Sequence, residues 1–308
     1  MTDLGNWSIP LAVFGGAIRV GTPYLYVSLG ECLTEKSGRV NLGLEGTLVM
    51  GAMAGYAISY KTGSPWVGVL AAGAVGALFG AIHALICNRP RVNSVAVGIA
   101  MMVFGIGLAA YLGKPYIQPS APQLPSFELG AWSAIPQVRS ALQINALFII
   151  GLLLAPAMAW MLKNTRWGMV VRLVGENTAA ATAMGYSINR TRLIATTIGG
   201  VFAGVAGSYL SLYYPGAWTE SISSGQGLMA VALVIFARWQ PINCLWASLL
   251  IGGAGSIGVA LQGVGLATSA AGYLWNAAPY ILTLVIMVLS CSRARALAGA
   301  PAELGMVS

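Results

Sequence analysis

The sequence predicts an all-α, polytopic integral membrane protein of about nine transmembrane helices, and three observations support that class. First, 57% of the 308 residues are hydrophobic and only 8% are charged, whereas an average soluble domain has roughly 25% charged residues. Second, apolar runs recur along the whole chain, and about 20 apolar residues suffice for a helix to cross a bilayer. Third, the basic residues lie between these runs, as is typical of polytopic membrane proteins.

Nine stretches are apolar enough to be predicted as transmembrane helices. The seventh has only 13 residues, so it either needs its flanks, residues 222–224 and 238–239, to cross or enters the membrane without crossing it. The stretches are residues 7–29, 42–60, 66–86, 94–112, 142–162, 193–213, 225–237, 242–264 and 273–291. Glycines four positions apart occur at 51–55, 76–80 and 200–204. Because small residues let helix backbones approach closely in lipid, we expect one compact membrane domain over residues 1–308.

The basic residues predict how the chain is oriented. If the segment after residue 192 runs outward, twelve of the 16 Lys and Arg residues fall on one side and three on the other. Cytoplasmic loops are enriched in Lys and Arg, so the N-terminus is predicted outside and the C-terminus in the cytoplasm. The start of the chain has Asp3 and no basic residue, so we expect no signal peptide. The net charge of +8 reflects this orientation, and no nucleic-acid partner is predicted.

Two of the predicted connections are long. The outer one, residues 113–141, contains five prolines and is expected to form an irregular extracytoplasmic flap. The inner one, residues 163–192, is polar and basic and contains a predicted short helix at 177–184. Asn177 is expected to cap that helix and Gly185 to end it, because Asn is favoured at N-caps and Gly just after the last helical turn.

Residues that could carry catalysis are scarce. The chain has one histidine, His83, and its four cysteines show no metal-ligand spacing. It also lacks a nucleophile elbow, a zinc-protease pattern and a phosphate-binding loop of the Walker A type. We therefore predict a transporter subunit with no enzymatic activity, no metal and no cofactor of its own.

Residues 34–46, TEKSGRVNLGLEG, place charged and amide side chains around flexible glycines between two apolar runs. One interpretation is a cytoplasmic turn in which Glu45 stabilises the start of the next helix through its dipole. The other is a broken helix that lines a translocation pathway, since unwound backbone at membrane depth is tolerated only against protein or a cavity. An acid at the start of a membrane segment is costly unless it has a function, which slightly favours the second interpretation.

Three blocks of the sequence carry a resemblance to a known family. Residues 34–55, TEKSGRVNLGLEGTLVMGAMAG, resemble the N-terminal hallmark of bacterial ABC-importer permeases of the branched-chain amino acid, ribose and nucleoside type. Residues 172–192 resemble the loop on which that family docks its ATPase. Residues 225–241 resemble a third family block, except that Leu228 stands where an aromatic residue is usual. The match is nearest to the nucleoside and simple-sugar permeases and covers nearly the whole chain.

The resemblance implies a pathway subunit of an importer in the bacterial inner membrane. A separate ATPase would bind ATP and Mg, a second and homologous permease would complete the pathway as a heterodimer, and an extracytoplasmic protein would deliver the substrate. The expected residues of ATPase coupling are Arg172, Gly175, Glu176, Asn177, Ala180, Gly185, Arg190 and Arg192. The expected residues of the substrate pathway are Asn41, Glu45, Asn93, Ser94, Trp218 and Gln226.

The substrate class stays open at this point. A nucleoside is the main hypothesis, because aromatic rings stack on nucleobases and amides bond their edges. A simple sugar, riboflavin or another small polar metabolite is the alternative within the same machinery. An ion-coupled secondary carrier would need inverted repeats and membrane carboxylates, and Glu45 is the one suitable acid.

Overall fold

A computed structural model describes residues 8–130, 136–263, 277–290 and 299–306. Within them the chain is mostly helical, with a small two-stranded antiparallel sheet made of β1 (Ser126–Glu128) and β2 (Gln143–Asn145). The described helices are α1 (Ser8–Lys36), α2 (Leu44–Thr62), α3 (Pro65–Cys87), α4 (Ser94–Gly113), α5 (Pro136–Ala141), α6 (Ala146–Asn164), α7 (Arg166–Glu176), α8 (Thr178–Ala183), α9 (Ile188–Leu212), α10 (Gln226–Phe236), α11 (Pro241–Gly263) and α12 (Ala278–Ser290).

Among the described residues, five helices are long and apolar enough to cross a membrane. They are Pro65–Cys87, Ser94–Tyr116, Ala146–Asn164, Ile188–Leu212 and Pro241–Gly258. The predicted class, a helical protein with several membrane spans, is confirmed in this form. The count of nine spans and the orientation of the termini stay predictions. Residue 7 of the first predicted segment, residue 264 of the eighth and residues 273–276 and 291 of the ninth lie outside the described residues.

The long outer connection is more regular than predicted. Its backbone pairs in register, with Ser126 opposite Asn145 and Glu128 opposite Gln143, so the fold is not helical throughout. The predicted helix at 142–162 therefore begins at Ala146, after β2. The Asn145 side chain accepts a hydrogen bond from the Leu147 N–H at 2.8 Å and thus caps α6, as Asn does at helix starts.

Close contacts between α2, α3 and α9 form the centre of the bundle. A Cβ added to Gly76 would fall on the Gly200 carbonyl oxygen, and one added to Gly200 would fall on the Gly76 carbonyl oxygen. A Cβ at Gly51 would lie 2.6 Å from the Gly204 Cα. The predicted close packing of the glycine pairs is confirmed at these crossings, since only a hydrogen fits between the backbones.

The seventh predicted span contains the 11-residue helix α10. At 1.5 Å per residue such a helix is about 16 Å long, about half of a 30 Å hydrocarbon core. Residues 213–225 before it contain no α-helix, and the turn after it places Arg238 and Trp239 at φ values of 52° and 53°. This part of the chain is a half-helix between two irregular segments.

Candidate functional site

Glu45 joins the start of α2 to the start of α10. One oxygen of its carboxylate accepts hydrogen bonds from the Ser223 hydroxyl at 2.5 Å and the Gly225 N–H at 2.9 Å. The other oxygen accepts from the Gly227 N–H at 2.6 Å. The side chain is only 5% exposed. The first N–H groups of a helix have no hydrogen-bond partner within that helix. The Glu45 carboxylate, which belongs to α2, therefore provides acceptors for the N–H groups at the start of α10.

The approach of these two segments requires glycine. Gly225 has a φ of 85°, which is a left-handed conformation that favours glycine. A Cβ on Gly227 would lie 2.6 Å from the Glu45 Cα and 2.8 Å from its carboxylate. The segment SSGQG at 223–227 thus provides the donors that hold the Glu45 carboxylate.

Asn41 lies beside the last turns of α1. Its backbone N–H donates to the Glu31 carboxylate at 2.7 Å, and its side-chain oxygen accepts from the Gly43 N–H at 2.9 Å. The chain after Lys36 therefore folds back along α1 before α2 begins. Both side chains are buried, so most of the polar segment predicted at 34–46 lies inside the bundle, while Lys36 is partly exposed.

Helix α4 runs along the same polar segment. A Cβ at Gly98 would lie 2.8 Å from the Leu42 nitrogen, so Ser94, one turn earlier on α4, lies near the start of α2. The Ser94 hydroxyl is buried and has no hydrogen-bond partner among the described residues. Asn93 is exposed, and its side chain caps α4 by accepting from Val95 and Ala96.

Gln226 and Trp218 lie at different places. Gln226 is the first residue of α10, next to the bonds that hold Glu45, and its side-chain oxygen is buried without a partner in the described residues. Trp218 is buried against Gly113, at the far end of α4. From Gly98 to Gly113 α4 rises about 22 Å. The structure therefore brings together Asn41, Glu45 and Gln226, with Ser94 near them, and leaves Trp218 at the other end.

The predicted short helix of the 163–192 loop is confirmed as α8. The Asn177 side chain accepts from the Ala180 N–H at 2.9 Å, and Gly185 follows the helix with a φ of 82°. Half of the α8 residues are exposed, and Met184 just beyond it is 61% exposed. The same loop also contains α7, which the sequence analysis did not separate; its apolar residues lie on one face, with Val171 and Val174 buried.

The C-terminal residues 299–306 pack against this loop. The Glu303 carboxylate accepts from the Thr178 N–H at 3.3 Å and hydroxyl at 3.0 Å, and it forms an ion pair with Arg192 at 3.4 Å. The Glu176 carboxylate accepts from the Ala302 N–H at 3.4 Å. Arg192 also donates to the Ser37 carbonyl at 3.1 Å. This network connects the tail, α8, α9 and the turn after α1.

The predicted coupling residues occupy different positions in this network. Arg172 and Arg190 are exposed and free to contact another protein. Arg192 is partly buried in its pair with Glu303. Gly175 is packed against the Lys36 carbonyl, where a side chain would collide. It therefore allows α7 to pack closely against the end of α1 within this chain.

Sequence reasoning missed Ser223, Gly225 and Gly227 as partners of Glu45, and Glu303 as a partner of α8. The glycines on either side of Gln226 are a visible signal, because they interrupt the chain where an apolar helix starts. Glu303 shows no such signal, since it follows no periodic pattern and belongs to the last residues of the sequence.

Residues 13–291 match the protein family described as branched-chain amino acid transport system / permease component. A protein of Haloferax volcanii, provisionally named glucose ABC transporter permease protein TsgC13, is 32% identical over 250 residues, 80% of this chain and 76% of that protein. The nucleoside ABC transporter permease protein NupC of Lactococcus lactis is 27% identical over 288 residues, 89% of this chain and 90% of that protein. The guanosine ABC transporter permease protein NupQ of Bacillus subtilis is 33% identical over 148 residues, 48% of this chain and 46% of that protein.

Proposed function

Because the chain belongs to the branched-chain amino acid transport system permease family, we propose that it forms the pathway for a nucleoside in an ATP-driven importer. It is an ABC transporter permease of the nucleoside or sugar type and a protein of the inner membrane. The choice of a nucleoside as the substrate is the more specific part of this proposal. It is supported by the similarity to NupC, which extends over 90% of that protein.

The bond between Glu45 and the start of α10 is the observation that carries the pathway proposal. In secondary transporters the substrate site is typically formed by broken helices whose half-helix N-termini point at it, and α10 is likewise a short helix whose N-terminus lies inside the bundle. We place the substrate beside the joined starts of α2 and α10. Glu45 holds this wall together. The unpartnered Ser94 hydroxyl is available to donate or accept a hydrogen bond, and the unpartnered Gln226 amide oxygen is available to accept one.

The remaining pathway residues take supporting places in this proposal. Asn41 fixes the segment before α2, and Asn93 fixes the start of α4. The buried indole of Trp218 lies at the opposite end of α4, where the ends of α2 and α9 meet the proline-rich segment. We assign it to the extracytoplasmic mouth, through which substrate enters.

The proposed orientation has nine crossings, with the N-terminus outside and the C-terminus in the cytoplasm. The seventh crossing is residues 213–225 together with α10. The contact between residues 299–306 and the α7–α8 loop supports this arrangement, because it puts the C-terminus at the same end of the bundle as the basic loop 163–192.

We assign ATPase coupling to α8 and the exposed residues around it. A short helix with a capped start and exposed small side chains suits insertion into a groove of a partner. Arg172 and Arg190 supply exposed charge on either side of it, while Asn177, Ala180 and Gly185 shape the helix. ATP and Mg would be bound by that partner, and a second permease and an extracytoplasmic binding protein would complete the importer.

A simple sugar is the second candidate substrate. TsgC13, whose name states glucose, is 32% identical over 80% of this chain. A sugar has no aromatic face to stack and is recognised through its hydroxyl groups, so the same buried oxygens of Ser94 and Gln226 would serve it. Binding of a nucleoside should therefore require its nucleobase, whereas binding of a sugar should not.

Uptake measurements on the assembled importer test the proposal. The chain is co-expressed with a candidate ATPase, second permease and binding protein, and uptake of labelled uridine, guanosine, ribose and glucose is compared in vesicles loaded with ATP. We expect saturable nucleoside uptake that stops when the glutamate that activates water in the ATPase is replaced by glutamine. Glucose uptake without nucleoside uptake would favour the sugar; uptake driven by an ion gradient without ATP would refute the ABC mechanism.

A further inference from the structure

A basic cleft opens between the ends of three long helices. It has a volume of about 400 Å³ and lies where α1 and α6 end and α11 begins, beside α7. Three cations line it, one each from α1, α6 and α7: Lys36, Lys163 and Arg172. Its other wall is largely apolar and includes Leu162, Trp239 and Ile242, and no acidic side chain lines it.

No ion pair among the described residues involves the three cations of this cleft. Lys36 donates to the Gly299 carbonyl at 3.2 Å, and the adjacent Glu35 carboxylate accepts from the Trp239 indole N–H. The cleft therefore presents net positive charge to whatever enters it.

Aromatic side chains indicate that the cleft lies at the level of the membrane surface. Trp160, in the last turns of α6, is 62% exposed, and Trp246, in the second turn of α11, is 65% exposed. Exposed tryptophans concentrate where lipid headgroups meet the hydrocarbon core. These are the two helices whose ends form the cleft, so their outer faces meet lipid near it.

The adjoining helix α7 presents basic side chains outward beside the cleft. It places Arg166 and Arg172 in the exposed part of an 11-residue helix whose buried side, with Val171 and Val174, packs against the bundle. Arg172 thus reaches the cleft from the exposed side of α7.

We propose that this cleft binds an anionic phospholipid from the adjacent leaflet. Its phosphate lies among Lys36, Lys163 and Arg172, and its acyl chains follow the wall of Leu162 and Ile242. Arginine offers parallel N–H donors to two phosphate oxygens, while the lysines act as point charges. Basic pockets between membrane helices bind acidic headgroups in this way. A free phosphate ion shares the charge but gains nothing from the apolar wall.

The test measures lipid binding to the purified chain and does not depend on its transport activity. Dioleoylphosphatidylglycerol, dioleoylphosphatidylcholine or inorganic phosphate is titrated into protein in neutral detergent, and bound lipid is counted by native mass spectrometry. The cleft variant is Lys163→Gln with Arg172→Gln. The control variant, Arg89→Gln with Arg91→Gln, removes the same charge from exposed positions outside the cleft.

We expect phosphatidylglycerol to bind at least about tenfold more tightly than phosphatidylcholine. At about 1 kcal/mol for each basic residue near the surface, the cleft variant should bind it about thirtyfold more weakly. The control variant should change less than about threefold, and Lys163→Arg should retain binding. Equal affinity for the two lipids, an equal loss in both double variants, or displacement of lipid by millimolar inorganic phosphate would each overturn the proposal.

Discussion

The Glu303 carboxylate forms an ion pair with Arg192 at 3.4 Å and also accepts hydrogen bonds from the N–H and hydroxyl of Thr178. Thr178 is the first residue of α8 and Arg192 lies in the first turns of α9. One side chain near the C-terminus therefore ties the proposed coupling helix to a membrane-spanning helix. A force applied to α8 by a partner would reach α9 through this contact.

A double-mutant cycle on this pair should reveal a coupling energy. Glu303→Gln and Arg192→Gln each remove one charge, and the double variant removes both. Hydrogen bonds to charged groups contribute about 1.5–3 kcal/mol, and partial exposure reduces this, so we expect about 1 kcal/mol of non-additivity in unfolding by denaturant. In the assembled importer, Glu303→Gln should also lower substrate transported per ATP hydrolysed. Additive single effects and an unchanged transport ratio would mean that the contact transmits nothing.

Replacing Glu45 should weaken both the fold and transport. Glu45→Ala leaves the N–H groups of Gly225 and Gly227 without a partner, and each unsatisfied buried donor costs about 1–3 kcal/mol. Glu45→Gln should also be harmful, because its amide nitrogen would face one of the N–H groups, of Gly225 or Gly227, that now donate to the two carboxylate oxygens.

Ser223→Ala is the matched comparison, since it removes a single donor and keeps the carboxylate. We expect a loss of about 1 kcal/mol and uptake close to that of the unchanged chain. Thermal unfolding in detergent and nucleoside uptake, normalised to the amount of protein in the membrane, measure both effects. Wild-type stability and uptake in Glu45→Ala would contradict the proposed role of the carboxylate.

The difference between α8 and Glu45 shows what the sequence can predict here. Helix α8 follows from local signals, because Asn177 and Gly185 lie at its two ends and act on backbone within a few residues. The partners of Glu45 lie 178 to 182 positions away, and Glu303 lies 125 positions from Thr178. No local pattern encodes such pairs, because they depend on how the helices pack.

The apolar runs show the same limit. They predicted where helices occur, since a run of about 20 apolar residues is long enough to span the hydrocarbon core as a helix. They placed the short seventh stretch, residues 225–237, close to the bounds of α10 (Gln226–Phe236), but they did not predict which residues next to it are irregular. Gly225 and the left-handed Arg238 and Trp239 set those boundaries through backbone geometry.

Substitution of Gly200 should destabilise the centre of the bundle. Gly200→Ala places a methyl group on the Gly76 carbonyl of α3, and overpacking of this kind costs about 1–3 kcal/mol. Gly107→Ala in α4 is the control, because a Cβ there meets no atom within 4 Å. Alanine favours helix over glycine by up to about 1 kcal/mol, so the control should be neutral or stabilised in thermal unfolding. Equal melting temperatures for the two variants would contradict close packing at the crossing.

Charge on the exposed end of α8 should prevent binding of the ATPase without unfolding the chain. Met184 is 61% exposed, so Met184→Asp removes apolar contact surface. The introduced carboxylate would also have to lose its hydration in any interface formed there, which is costly. We expect at least a tenfold loss of ATPase co-purified with the chain. Asn189→Asp adds the same charge at an exposed position on α9 and should retain the partner. Loss of the ATPase in both variants would indicate a general effect of charge, and retention in both would move the contact away from α8.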